Sequence, residues 1–230
     1  MPTIDASAPV PAEGTAVASL ATASFTPPAN SKLVALITTN SAGGARTITS
    51  VTNSGTLLTW TMRRRANAQD GTAEIWTADV ATSAAMTVTA TPSATEDVHI
   101  VMMVFTDVET GFSGGGGSAS NNSGLPTTGS MTGLTIGSYM VAVSSDWNAA
   151  GLGTLGTGQT FVDEWHTAGR YTSHVWRTTT TLSGTTQTMN LTAPAAQDYN
   201  IASIEIKGPS TTPPTRPRSY IQAVRRSVTH

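Results

Sequence analysis

The chain has 230 residues, of which 38% are hydrophobic and 11% charged, and it contains no cysteine. That length suits one large domain or two small ones, and the lack of cysteine excludes disulfides, thiolate chemistry and thiolate zinc sites. The net charge of −2 is unevenly placed: four arginines and no acid follow Gly208, leaving a body at −6 and a tail at +4, so the tail rather than the body suits an acidic partner.

In chain order, Met1–Val10 has neither a basic n-region nor an apolar h-region, so no signal peptide is expected. No run approaches the roughly 20 apolar residues of a membrane helix. Synthesis in a cytoplasm follows as the expectation. Period-two alternation then dominates, and threonine, the commonest residue, suits a pleated half-buried surface. Strands are predicted at Ala16–Thr26, Lys32–Thr39, Arg46–Thr52, Leu57–Arg63, Thr72–Asp79, Met86–Thr91 and Val98–Thr106. Gly111–Gly124 (GFSGGGGSASNNSG) reads as a flexible crossover or loop tip, since a phosphate-cradling loop needs a lysine and a following helix. Further strands are predicted at Met131–Ile136, Ser138–Ser145, Thr160–His166, Tyr171–Thr178, Thr186–Leu191 and Tyr199–Lys207. Gly, Pro, Asn and Ser clusters separate them.

Short regular strands without helices predict an all-β, two-sheet antiparallel β-sandwich of jelly-roll-like type. The two halves, about 15–110 and 125–208, are similar. SFTPPANSKLVALITTN parallels GLTIGSYMVAVSSDW, and each half later has a tryptophan-bearing strand (Trp76, Trp176), a threonine-alternating strand, a proline-containing loop and an apolar strand. The halves are either two tandem sandwiches or one sandwich to which each contributes strands in both sheets. The single body is preferred because each half carries few large apolar residues. Residues 1–208 are thus the body, and 209–230 an extended C-terminal arm.

Several stretches resemble a known module. DWNAAG (Asp146–Gly151), GQTFVDEW (Gly158–Trp165), the Trp176 strand, LTAPAAQDYNIASIEI (Leu191–Ile206), SFTPPANSKLVALI and LTWTMRRR resemble a β-sandwich module of actinobacteriophage minor tail and virion surface proteins, and of actinobacterial secreted adhesive proteins. The resemblance covers about residues 15–207. It implies a scaffold and says little about activity.

Candidate chemistry is sparse. Asp146, Asp163, Glu164, His166 and His174 form the best polar cluster. On one strand Glu164 and His166 share a face and Asp163 takes the other, so Glu164, His166 and His174 can make an oxygen–nitrogen metal site, against the plainer reading of a solvent-facing strand pair, which is preferred. Adjacent Asp163 and Glu164 cannot flank one glycosidic bond. His99, within DVHIVMMVF, reads as a core or edge histidine. Arg63–Arg65 reads as a solvated rim rather than a phosphate contact. Of the five tryptophans, Trp60, Trp76, Trp165 and Trp176 read as core, and Trp147 as the candidate glycan contact. No nucleophile motif is present. No catalytic residue, cofactor or metal is assigned, and no nucleic-acid partner is expected.

The arm is a Pro-rich spacer, extended at roughly 3.1 Å per residue, followed by SYIQAVRRSVTH. Tyr220, Ile221, Val224 and Val228 fall near one helical face with Arg225 and Arg226 beside it. So short a helix needs a partner surface. With Arg216 and Arg218 these residues are the candidate partner-binding set. The expected function is a non-enzymatic, surface-exposed bacteriophage virion protein, either a minor tail or tail-tip component or a capsid decoration protein. Its arm would anchor it to other virion subunits, including neighbouring copies of itself. The alternative is a module binding host cell-surface glycan.

Overall fold

The apolar runs of the sequence become the central strands. The structure, a computed structural model, describes residues 1–41, 43–147, 152–167 and 171–209; the arm residues Arg216, Arg218, Tyr220, Ile221, Val224, Arg225, Arg226 and Val228 lie outside them. In the first half the strands are β1 (Thr3–Asp5), β2 (Ala12–Val17), β3 (Leu20–Ala21), β4 (Ser31–Thr39), β5 (Ile48–Asn53), β6 (Thr61–Ala66), β7 (Thr72–Val80), β8 (Val88–Pro92) and β9 (Glu96–Thr106). In the second half they are β10 (Gly116–Gly124), β11 (Thr127–Thr132), β12 (Tyr139–Asp146), β13 (Thr154–Leu155), β14 (Gln159–Thr167), β15 (Tyr171–Thr178), β16 (Thr186–Ala193) and β17 (Gln197–Ile206). No helix occurs among the described residues.

Among the described residues the named strands all pair antiparallel, and an isolated bridge between Ala45 and Gly71 is parallel. One large sheet runs β1-β9-β4-β7-β6, with β2 also on β9; the other runs β10-β17-β12-β15-β14. They pack face to face through Val34, Leu36, Ile75, Val101, Met103 and Phe105 on one side and Val141, Val143, Val175, Ile204 and Ile206 on the other. This is all-β sandwich architecture as predicted, with two differences from a single two-sheet body: each half supplies one whole large sheet rather than strands to both, and the described strands form four sheets rather than two. Each half also adds a three-stranded outer sheet, β3-β8-β5 or β11-β16-β13. Beneath these lie two further cores, one around Leu33, Ile37, Met86, Ile100 and Val104, the other around Met140, Trp176, Met189 and Ile201. Central strands are therefore buried on both faces, which is why β4 is buried along its whole length.

The connectivity repeats. Taking β2–β9 and β10–β17 as two runs of eight, the first, eighth, third, sixth and fifth strands form each large sheet and the second, seventh and fourth each small one. This is jelly-roll connectivity, with the fifth strand extending the large sheet. Register matches too. Glu74 pairs with Arg65 as His174 pairs with Glu164, and each fifth strand has a bulge one step earlier, between Met62 and Arg64 or between Phe161 and Asp163.

The flexible crossover expected at Gly111–Gly124 is a correction: from Gly116 it is an edge strand on β17. Its glycines allow close approach. A Cβ on Gly114 would lie 2.0 Å from the Glu205 carbonyl oxygen, and one on Gly116 2.4 Å from that of Ser203. The strand expected at Ala16–Thr26 is broken into the end of β2, β3 and an isolated bridge at Phe25.

Candidate functional site

The polar cluster divides between the two faces of its strand, as the parity of Asp163 and Glu164 predicts. The bulge at Phe161–Asp163 sets the parity of β14, placing Glu164 opposite His174 on the outer face and Asp163 toward the other half. On the outer face His174 Nε2 lies 3.7 Å from Glu164 Oε1, and Glu164 accepts the Gly153 amide at 2.9 Å. His174 is fully buried with both ring nitrogens unpaired, and burial pushes its pKa down to about 4. His166 is exposed. Asp146 is buried at the end of β12. Among the described residues, Glu164, His166 and His174 do not form a three-ligand group. Trp147 is half-buried, and its amide donates to the Asp198 carbonyl.

Asp163 instead meets His99 across the interface between the halves. Its Oδ2 lies 2.9 Å from His99 Nε2, yet neither atom makes a well-directed hydrogen bond. His99 Nδ1 is 2.8 Å from Ser173 Oγ. Ser173 Oγ accepts from Thr38 Oγ1 at 2.8 Å, and Thr38 accepts from the Tyr171 hydroxyl. Trp165 covers one end, 5.7 Å from the His99 ring and 5.6 Å, edge-on, from Tyr171. Burial raises the Tyr171 pKa, keeping its hydroxyl protonated.

Serine, imidazole and carboxylate in close succession invite comparison with a hydrolase triad. The ring nitrogens are reversed relative to that arrangement, and Ser173 has no exposed surface. A hydroxyl packed between two sheets cannot reach a substrate carbonyl, so this relay is a polar bridge between the halves.

The arginine run is spent locally. Arg65 pairs with buried Glu74 at 2.8 Å, and Arg63 donates to Thr77 at 2.7 Å and lies over the Phe112 ring. Beside it a half-open groove of about 440 Å³ is lined by Leu57, Arg63, Asp79 and several threonines.

Sequence reasoning placed Asp163 opposite Glu164 but missed Glu13, Thr38, Ser173 and Tyr171. The available signal was parity: His99 shares a face with Val101 and Met103. Nothing in the sequence identified the surface that this face meets. Compared with known proteins, the chain matches no family model, no curated protein and no solved structure.

Proposed function

We propose that this chain is a non-enzymatic, surface-exposed structural protein of a bacteriophage particle, a minor tail or tail-tip component or a capsid decoration protein held by its C-terminal arm. The observation that carries this reading is the fusion of two jelly rolls through an apolar sheet–sheet interface. Such a body is stiff, and jelly rolls are recurrent in viral shells and in lectins. The resemblance of DWNAAG and GQTFVDEW to virion surface modules points the same way, and the relay at His99 offers no accessible nucleophile.

The alternative is glycan binding. The groove beside Arg63 favours it, since its threonines, arginine and aspartate can meet sugar hydroxyls beside an exposed Leu57. Mass spectrometry of purified particles separates the two. The structural reading expects a fixed copy number per particle, lost on deleting residues 209–230. Absence from particles, with binding of the free protein to host cell wall, would replace it with the glycan reading.

A further inference from the structure

We propose that Glu13, His99 and Asp163 bind a divalent first-row transition-metal ion, with zinc and manganese the best-suited, and that the ion staples the two jelly rolls together. The proposal is independent of the virion reading. One imidazole nitrogen and one carboxylate oxygen from each acid lie within 4.8 Å of one another. Glu13 stands directly opposite His99 in the β2–β9 pairing, on the same sheet face, and Asp163 comes from β14 of the other half. The bulge in β2 that follows Glu13 is held by Asp97, whose carboxylate accepts the Ala16 amide at 2.9 Å.

Three observations point to an ion rather than a packing accident. First, His99 has no exposed surface, yet its Nε2 makes no well-directed hydrogen bond and lies 2.9 Å from Asp163 Oδ2, which makes none either. A buried imidazole nitrogen and a carboxylate oxygen left unpaired at 2.9 Å suit adjacent ligands of one metal, which at metal–ligand distances of about 2.0–2.2 Å stand roughly 3 Å apart. Second, His99 Nδ1 is tied to Ser173, and Ser173 in turn to Thr38 and Tyr171. That is the outer hydrogen bonding that orients a metal-binding histidine and leaves its other nitrogen as the ligand.

Third, the repeat supplies an internal control. The positions equivalent to Glu13, His99 and Asp163 are Ser120, Asn200 and Arg64. There the amide is fully satisfied: Asn200 accepts from Gln69 N and Ser120 Oγ and donates to the carbonyls of Gln69 and Asp70. The fold can therefore close this seam with a satisfied amide and no carboxylate, and does so once. The other seam instead has two carboxylates around an unsatisfied imidazole. Two oxygens and one nitrogen suit zinc or manganese better than a thiolate-seeking metal. Asp163, about a quarter exposed, and exposed Glu13 leave the site open to solvent for the remaining ligands.

The test uses the full chain, stripped with a chelator and titrated with zinc or manganese by calorimetry and by thermal unfolding. Expected are one equivalent bound with an intact His99 and a rise in Tm of a few degrees. Glu13→Gln and Asp163→Asn, both at solvent-open positions, should weaken binding at least tenfold while leaving the Tm of the stripped protein near that of the parent. His99→Asn, the residue used by the other half, should fold and lose binding. His166→Ala should retain it. No saturable binding would overturn the proposal, as would binding that survives Glu13→Gln and Asp163→Asn or is lost in His166→Ala.

Discussion

His174 occupies a fully buried place on β15, facing Phe161 and Glu164, with no partner for either nitrogen. Burial holds its pKa near about 4, whereas in the unfolded chain it titrates near 6.5. Between those values the unfolded state carries more protons, so stability rises with pH there and is lost as pH falls. Glu164 acts in the opposite sense: burial raises its pKa, so its contribution is lost as pH rises through that value. Urea unfolding from pH 7 toward pH 5 should therefore show stability falling by up to about 1.4 kcal/mol per pH unit from His174. His174→Leu should flatten that slope; an unchanged slope would assign it elsewhere. Gly71 is the second residue on which the fold depends. It has φ +76°, and a Cβ there would sit 2.1 Å from the Thr39 carbonyl oxygen. Gly71→Ala combines left-handed strain with a backbone clash and should cost about 3 kcal/mol, read as a lower urea midpoint.

At the scale of elements, Glu205 on β17 organises the start of the second half. Its carboxylate accepts from the amides of Gly115 and Thr135 and from the Ser138 hydroxyl. Burial alone would raise its pKa, but these hydrogen bonds outweigh burial and hold it below the usual carboxylate value. Its contribution is thus present above the unfolded carboxylate pKa and is lost as pH falls through the folded one. Glu205→Gln should cost about 1.5–3 kcal/mol, the range for hydrogen bonds to a charged group, and should speed amide exchange along Gly115–Asn121. Unchanged exchange there would show that backbone pairing alone secures β10. The same element marks the limit of sequence reading. Short apolar runs bounded by turn residues made β4, β7, β9, β12, β15 and β17 legible to within a residue or two, because a strand buried on both faces must be apolar along much of its length. β10 was not legible: GGSASNNSG has no apolar alternation, and its glycines serve close backbone approach, a tertiary fact. The site was hidden for a similar reason, since His99 and Asp163 are 64 positions apart in the chain and meet only because two sheets stack.

At the scale of the molecule, each half has its own core, so the question is whether each can stand alone. The large sheet of the first half presents Val34, Leu36, Ile75, Val101, Met103 and Phe105 to the second half, and the polar bridge from Thr38 and His99 to Ser173, Tyr171 and Asp163 crosses the same interface. In a fragment of residues 1–110 that whole sheet face would meet water, and exposed apolar patches of this kind drive association. Thr38 would lose its partners Ser173 and Tyr171 at the same time. The full chain should therefore unfold in one cooperative transition, followed by fluorescence of its five tryptophans and by circular dichroism in parallel. The 1–110 fragment should aggregate, or pair with a second copy through the exposed sheet, with an apparent stability that depends on concentration. Replacing Leu36 and Val101 by lysine should make the fragment more soluble, while in the full chain the same pair should break the interface and unfold it. A monomeric wild-type fragment with a sharp, concentration-independent transition would show that the halves are independent domains and that the shared interface does not bind them into one folding unit.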